Sequence, residues 1–295
     1  MPTAPYRYTS SDEDSARWND FPFRQGDIVV STRSKSGTTW TQMICALLVF
    51  GTPRLPRPLN ELSPWLDHLV EARDTVVSRL EEQRHRRFIK THTPLDGIPV
   101  DPRADYLVVF RHPMDMAVSL YHQAQNIDHK LLRELTGAPE PTQPEKPRPA
   151  LREWLLEWID RRAEPRESLD SLPGIMLHLR DAWGRREQSN VTLLHYAELS
   201  TDLDGQMRAI AERLGIAVPA TGWDELVAAA TFSSMKSRHE KLIPNSGGIL
   251  KDGAAFFREG RSGTGGELLT EAELAHYHRR VADLAPPEAL EWLHR

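Results

Sequence analysis

The chain has 295 residues, 39% hydrophobic and 27% charged, which excludes a disordered or fibrous protein and supplies apolar material for a sizeable core. With 37 basic against 42 acidic residues the formal charge is -5, so no whole-molecule attraction to nucleic acid is expected and any anion must be held by local basic groups. The lone Cys45 excludes an intramolecular disulfide. The first thirty residues, with Ser10-Ser11-Asp12-Glu13-Asp14, lack the pattern of a signal peptide, and no apolar run approaches the roughly eighteen residues of a membrane helix. A cytoplasmic enzyme is the expectation. The length fits one large α/β domain or two small ones.

In chain order, the apolar run Asp27-Ile28-Val29-Val30-Ser31 reads as a buried strand. Ser34-Lys35-Ser36-Gly37-Thr38-Thr39-Trp40 follows, and a helix is predicted from Thr38 to Phe50, ending at Gly51. A lysine, hydroxyls and a glycine at a helix N-terminus, where backbone N–H groups are free, predict a phosphate or sulfate site. The glycine follows the lysine instead of preceding it, so the loop is P-loop-like in placement without the Gly-Lys-Ser/Thr order of a nucleoside triphosphatase. Trp40 offers an aromatic face for a base.

A second strand, Phe88 to Lys90, leads into Thr91-His92. Lys90 and His92, two apart on extended backbone, point to one side, giving a cation and a base of near-neutral pKa. A third strand, Tyr106 to Phe110, runs into Arg111 and a helix carrying Ser119. A magnesium-dependent enzyme of this layout presents an Asp there, whereas guanidinium suits a bidentate grip on phosphate. No metal-ligand cluster is seen, His276-x-His278 being too sparse, and no divalent metal is expected.

Residues 126–173 break the pattern, with five prolines in the eleven residues 139–149, and read as a surface insertion or lid. Trp154 and Trp158 either wall an apolar groove there or pack against the sheet. A fourth strand, Val191 to Tyr196, resumes the parallel sheet, with Glu198 beyond it. Phe232 in Thr231-Phe232-Ser233-Ser234-Met235 is a second stacking candidate, and Arg258-Glu259-Gly260 a second phosphate clamp. A helix over residues 270–285 is predicted to stop before Pro286-Pro287. Strands separated by helical patterns predict an α/β fold, a P-loop-like parallel sheet with helices on both faces and the site at the strand carboxyl ends.

Together these segments resemble the cytosolic-type sulfotransferases, which use 3'-phosphoadenylyl sulfate (PAPS), over roughly residues 20–285. The family's Lys-Ser-Gly-Thr-Thr-Trp loop is matched by Lys35, Ser36, Gly37, Thr38, Thr39 and Trp40. Its Lys-Thr-His segment is matched by Lys90, Thr91 and His92, and its arginine with a serine eight residues later by Arg111 and Ser119. Tyr196 with Glu198 fits the end of its fourth strand, Thr231, Phe232 and Met235 its Thr-Phe-x-x-Met segment, and Arg258, Glu259 and Gly260 its Arg-Lys-Gly loop. The stretch 87–97 is most similar to actinobacterial-type glycolipid sulfotransferases. The resemblance implies a single sulfotransferase domain over residues 1–295, moving a sulfuryl group from PAPS to an acceptor hydroxyl and leaving adenosine 3',5'-bisphosphate (PAP). It implies His92 as the base, with Lys35 and Lys90 stabilising charge. Arg111, Ser119, Arg258 and Gly260 would hold the 3'-phosphate, while Trp40, Tyr196 and Phe232 seat the adenosine. The expected acceptor is a glycolipid or similar amphipath; the alternatives are a small phenol or alcohol, or a P-loop kinase acting on a sugar or lipid. Glu259 replaces the family's lysine, which implies a weaker 3'-phosphate contact, and the dimerisation pattern of animal members is broken around Gly266 to Ala275.

Overall fold

The structure, a computed structural model, describes residues 4–141, 147–217, 221–243 and 246–295. Four parallel strands, β1 (Ile28–Thr32), β2 (Phe88–Thr91), β3 (Asp105–Phe110) and β4 (Val191–His195), lie in the order β2-β1-β3-β4. The register sets Ile28 beside Phe88 and Asp105, and Tyr106 beside Val191. Just ahead of the β1–β2 pair, Arg87 and Asp27 form a buried ion pair, with Arg87 Nε 2.8 Å from Asp27 Oδ1. With both groups desolvated, this pair fixes relative position more than it adds stability.

Side chains alternate across a strand, so each strand feeds two cores. Val29, Ile89, Val108, Phe110 and Val191 face one apolar cluster with the helices Pro113–Asn126, Leu151–Asp160, Leu172–Gly184 and Glu271–Ala282. Ile28, Val30, Phe88, Leu107, Val109 and Leu194 face the other, with Thr38–Phe50, Leu203–Arg213 and Trp223–Ala230. Burial on both faces is why the strands read as unbroken apolar runs. From β1 the chain passes first to β2 on one side and then to β3 on the other. The β1 loop feeds a helix on one face and the β3 loop a helix on the opposite face. Such a reversal opens a crevice at the strand carboxyl ends.

Several expectations are corrected. β4 ends at His195, and Tyr196 instead opens the helix Tyr196–Thr201, because His195 accepts a bond from Ala197 N and caps it. The helix predicted over 270–285 is Glu271–Ala282, started by a capping box of Thr270 and Glu273, but the prolines do not end helical structure: a further, unpredicted helix, Pro287–Leu293, uses Pro287 in its first turn. The segment 126–173 is not wholly a surface feature. Leu155, Trp158 and Ile159 are buried in the first core, and Trp154 meets the Tyr121 ring edge-on at 5.4 Å. From this segment Ile127, the helix His129–Thr136 through Leu132, and residues 166–170 reach the crevice. Pro144, one of the five prolines, and its neighbours at 142–146 lie outside the described residues. Among the described residues no helix is long and apolar enough to cross a membrane.

Candidate active site

The crevice is a cleft of about 530 Å³. Its floor begins where β1 turns into the helix Thr38–Phe50. Gly37 takes φ +110, and a Cβ there would stand 3.0 Å from the Tyr196 ring. Both the conformation and the contact require glycine. Lys35 also holds positive φ, +65, an unusual backbone for a side-chain-bearing residue and one that aims it across the loop. Its Nζ donates to Gln123 Oε1 at 3.2 Å and lies 4.0 Å from the centre of the Phe256 ring. Burial, then Arg111, Lys90 and Arg258, lower Lys35 to about 7. Four cations, of which only Arg258 has a carboxylate in ion-pair contact, converge on one place and signal an anion site.

His92, with 6% of its surface exposed, sits after β2. Its Nδ1 is 2.7 Å from the Thr32 carbonyl oxygen, which only accepts, so Nδ1 carries the proton and Nε2 the lone pair. Arg33 donates to the His92 carbonyl and pairs with Asp170 at 2.7 Å, holding that turn. Burial first, then Lys90 and Arg33, press His92 well below 6.5, which keeps the imidazole neutral. Lys90 Nζ lies 3.6 Å over the Trp65 ring, which in turn stacks on His68 at 4.0 Å. Burial lowers Lys90 to about 8.

From the end of β3, Arg111 lies against the Tyr196 ring, 4.4 Å from its centre, and donates to the Arg261 carbonyl at 2.8 Å. Its Nε has no protein partner. Four residues on, the buried Asp115 accepts from Gly263 N (2.8 Å), Thr264 Oγ1 (3.0 Å) and Gly265 N (2.9 Å). That carboxylate ties the glycine-rich loop over the cleft. Gly260, at φ +69, lies so close to Phe232 that a Cβ would meet the ring at 2.4 Å. Arg258 is paired with Glu259 at 2.6 Å, and Glu259 also meets Arg261 at 3.2 Å.

The fold therefore brings Lys35, Gly37, Thr38, Thr39, Trp40, Lys90, His92, Arg111, Ser119, Tyr196, Phe232, Met235, Arg258, Glu259 and Gly260 to one cleft. Ser36 and Thr231 do not line it. Ser36 is buried with its N–H on the Arg33 carbonyl, and the Thr231 hydroxyl caps the helix Phe232–Ser237. Trp40 Nε1 is tied to the Ala230 carbonyl at 2.8 Å and its ring meets Tyr196 edge-on, so little of its face is open. Sequence reasoning missed Glu13, Arg33, Trp65, Asp115 and Gln123. Only Arg33, directly before the lysine loop, carried a positional signal.

A neutral buried base beside convergent cations and a glycine-cradled loop, at the carboxyl ends of a parallel sheet, define a group-transfer enzyme acting on an anionic donor. Residues 25–288 match the sulfotransferase domain family, and the chain belongs to it. It is 39% identical to a glycolipid sulfotransferase of Mycobacterium bovis, across 97% of this chain and 93% of that protein. The glycolipid sulfotransferase Rv1373 of Mycobacterium tuberculosis is similar to the same degree, 39% with the same coverage. In structure the chain is similar to a mouse sulfotransferase, SULT7A1, crystallised with PAP, at a TM-score of 0.67 and 18% identity over 95% of this chain and 92% of that one.

Proposed function

We propose that this domain sulfates a hydroxyl of a glycolipid or similar amphipath in the cytoplasm, with PAPS as donor. The reading rests chiefly on His92, whose Nδ1 is fixed on the Thr32 carbonyl so that Nε2 opens toward the cleft shared with Lys35 and Lys90. The residues present fit such a donor. Arg111 Nε is buried without a partner, Lys90 Nζ has only an aromatic face, and the glycine at 260 keeps the loop close to Phe232. Arg111, Ser119, Arg258 and the Gly260 backbone would hold the 3'-phosphate, with Tyr196, Phe232, Met235 and the edge of Trp40 around the adenosine.

The donor supplies an electrophilic sulfur and a phosphate leaving group. His92 Nε2 takes the proton of the acceptor hydroxyl as its oxygen bonds to sulfur. Lys90 faces the charge on the sulfuryl oxygens, and Lys35 the phosphate oxygen that keeps the electron pair of the broken sulfur–oxygen bond. The names of the mycobacterial relatives support a glycolipid acceptor, and the apolar wall formed by Leu120, Ala124, Ile127, Leu132 and Leu250 suits a chain.

Calorimetry with PAP and AMP, joined to transfer of labelled sulfur into a lipid extract, tests this. PAP is expected to bind about ten- to a hundredfold tighter, the value of one or more charge-assisted contacts. Equal affinity for the two nucleotides would remove the 3'-phosphate assignment, and absence of labelled lipid would remove the acceptor.

A further inference from the structure

The acceptor side of the cleft holds a carboxyl group that the transfer step leaves idle. The segment 8–13 folds back over the cleft. Ser10 Oγ accepts from Glu13 N at 3.0 Å, Leu69 N donates to the Asp12 carbonyl at 2.8 Å, and Glu13 bridges antiparallel to His68. Tyr8 OH donates to Asp96 at 2.8 Å and Arg166 pairs with the same Asp96 at 3.0 Å, which pins the segment at its other end. Glu13 is thereby set beside the stacked Trp65 and His68 rings that carry Lys90, lining the same cleft as His92.

Of the other carboxylates around it, Glu167 is exposed to solvent, and Asp67, whose Oδ1 is buried without a partner, does not line the cleft. Asp12 accepts from the Ser10 and Ser11 hydroxyls, Asp67 from Thr91 and Thr93, and Asp170 is paired with Arg33. Among the described residues the Glu13 carboxyl makes no hydrogen bond and no ion pair. Lys90, with 5% of its surface exposed, likewise has no hydrogen-bond acceptor for its Nζ. A half-buried carboxyl without a partner is costly unless a ligand supplies donors. Burial, opposed mainly by Arg33, raises Glu13 to about 8, as expected of a carboxyl poorly served by both water and protein.

The ligand group is constrained by its neighbours. A cationic group on Glu13 would sit beside Lys90 and Arg33, both of which sense this carboxylate electrostatically. A neutral hydroxyl meets no such repulsion. The reacting hydroxyl belongs to His92, so the hydroxyl read by Glu13 is a second one on the same acceptor.

We propose that Glu13 is an acceptor-specificity residue, hydrogen-bonding a hydroxyl that neighbours the sulfated one, so that the cleft selects a sugar-like polyol headgroup over a monohydric alcohol or phenol. This rests on the sulfotransferase reading above and names the part of the acceptor that is recognised. A site built around such a bond leaves a buried polar group unmet when the hydroxyl is missing, which gives strong discrimination.

The test compares octyl glucoside with 1-octanol as acceptors of labelled sulfur, for the unaltered protein, Glu13→Gln and Glu13→Ala, with PAP affinity as the folding and donor control. The unaltered protein is expected to prefer octyl glucoside. Glu13→Ala is expected to lower the ratio of kcat/KM values for the two acceptors about ten- to a hundredfold, with part of the ratio kept in Glu13→Gln. An unchanged ratio in both variants, or an unaltered protein that prefers 1-octanol, overturns the assignment. An unaltered protein that binds PAP but sulfates neither acceptor overturns it while leaving the donor assignment standing. Failure to bind PAP overturns the sulfotransferase reading beneath it.

Discussion

The two sides of the cleft are built by different means. The side proposed to hold the donor comes from the turns that leave β1 and β3, with the loop at 258–266 tied down by Asp115. Two of its cations, Lys35 and Arg111, are placed by short connections to a buried sheet, and Arg258 stands on the loop that Asp115 holds. The acceptor side comes from residues 8–13, 65–68, 166–170 and 249–257, which meet only through side-chain bonds and isolated bridges. A sheet-borne site is rigid because its supports are close-packed, whereas a loop-borne site is set by a few polar contacts. The first suits a donor that never changes, and the second suits acceptor specificity.

His92→Ala is the sharpest way to separate the sides, since His92 is proposed to act on the acceptor proton alone. Its kcat should fall by about 10²–10⁴ while PAP affinity stays nearly intact. A comparable loss of PAP affinity would show that the two sides are one unit. Lys35 gives a test confined to the donor side. Its ammonium, lowered to about 7 in the free protein, is charged below that pH and neutral above it. An anionic donor binds the charged form, so PAP affinity should decline as pH rises through 7, by at most about tenfold per unit for one proton. The phosphates gain charge over part of the same range, so the comparison is with Lys35→Arg, which stays charged. The declining component should vanish in that variant, and parallel profiles would contradict the protonation argument. The smallest effect is expected at Glu259, whose carboxylate holds Arg258 in an exposed pair. Glu259→Gln should free that guanidinium and tighten PAP by up to about fivefold, the worth of a surface ion pair. Weaker PAP binding in Glu259→Gln would show that the carboxylate orders the loop instead of competing with the phosphate.

Legibility followed the same division. Lys35, Lys90, His92 and Arg111 were found from sequence because each follows a buried apolar run, and the loop between Thr32 and Thr38 carries its own glycine signature at Gly37. Tyr196 was placed on a strand because its apolar neighbours continue the run, and only the His195 side chain capping the next helix shows where β4 stops. Trp154 and Trp158 looked equally like a groove wall or a core contact. Burial of Trp158 against the first cluster, with Nε1 on the Asp170 carbonyl at 3.0 Å, decides for the core.

What the chain alone determined was the sheet, its two apolar faces and the anion-binding turn, because strand burial, helix starts and positive-φ glycine are local and periodic properties of consecutive residues. Tertiary structure decided that Glu13, Trp65 and Arg258, from three distant segments, would stand around His92 and Lys35, and that Asp115 would hold the glycine-rich loop beside them. Such residues carry no periodic signal. Their meeting depends on loop paths closed by single hydrogen bonds across more than a hundred positions, as between Asp115 and Gly265, and those paths exist only once the sheet has formed.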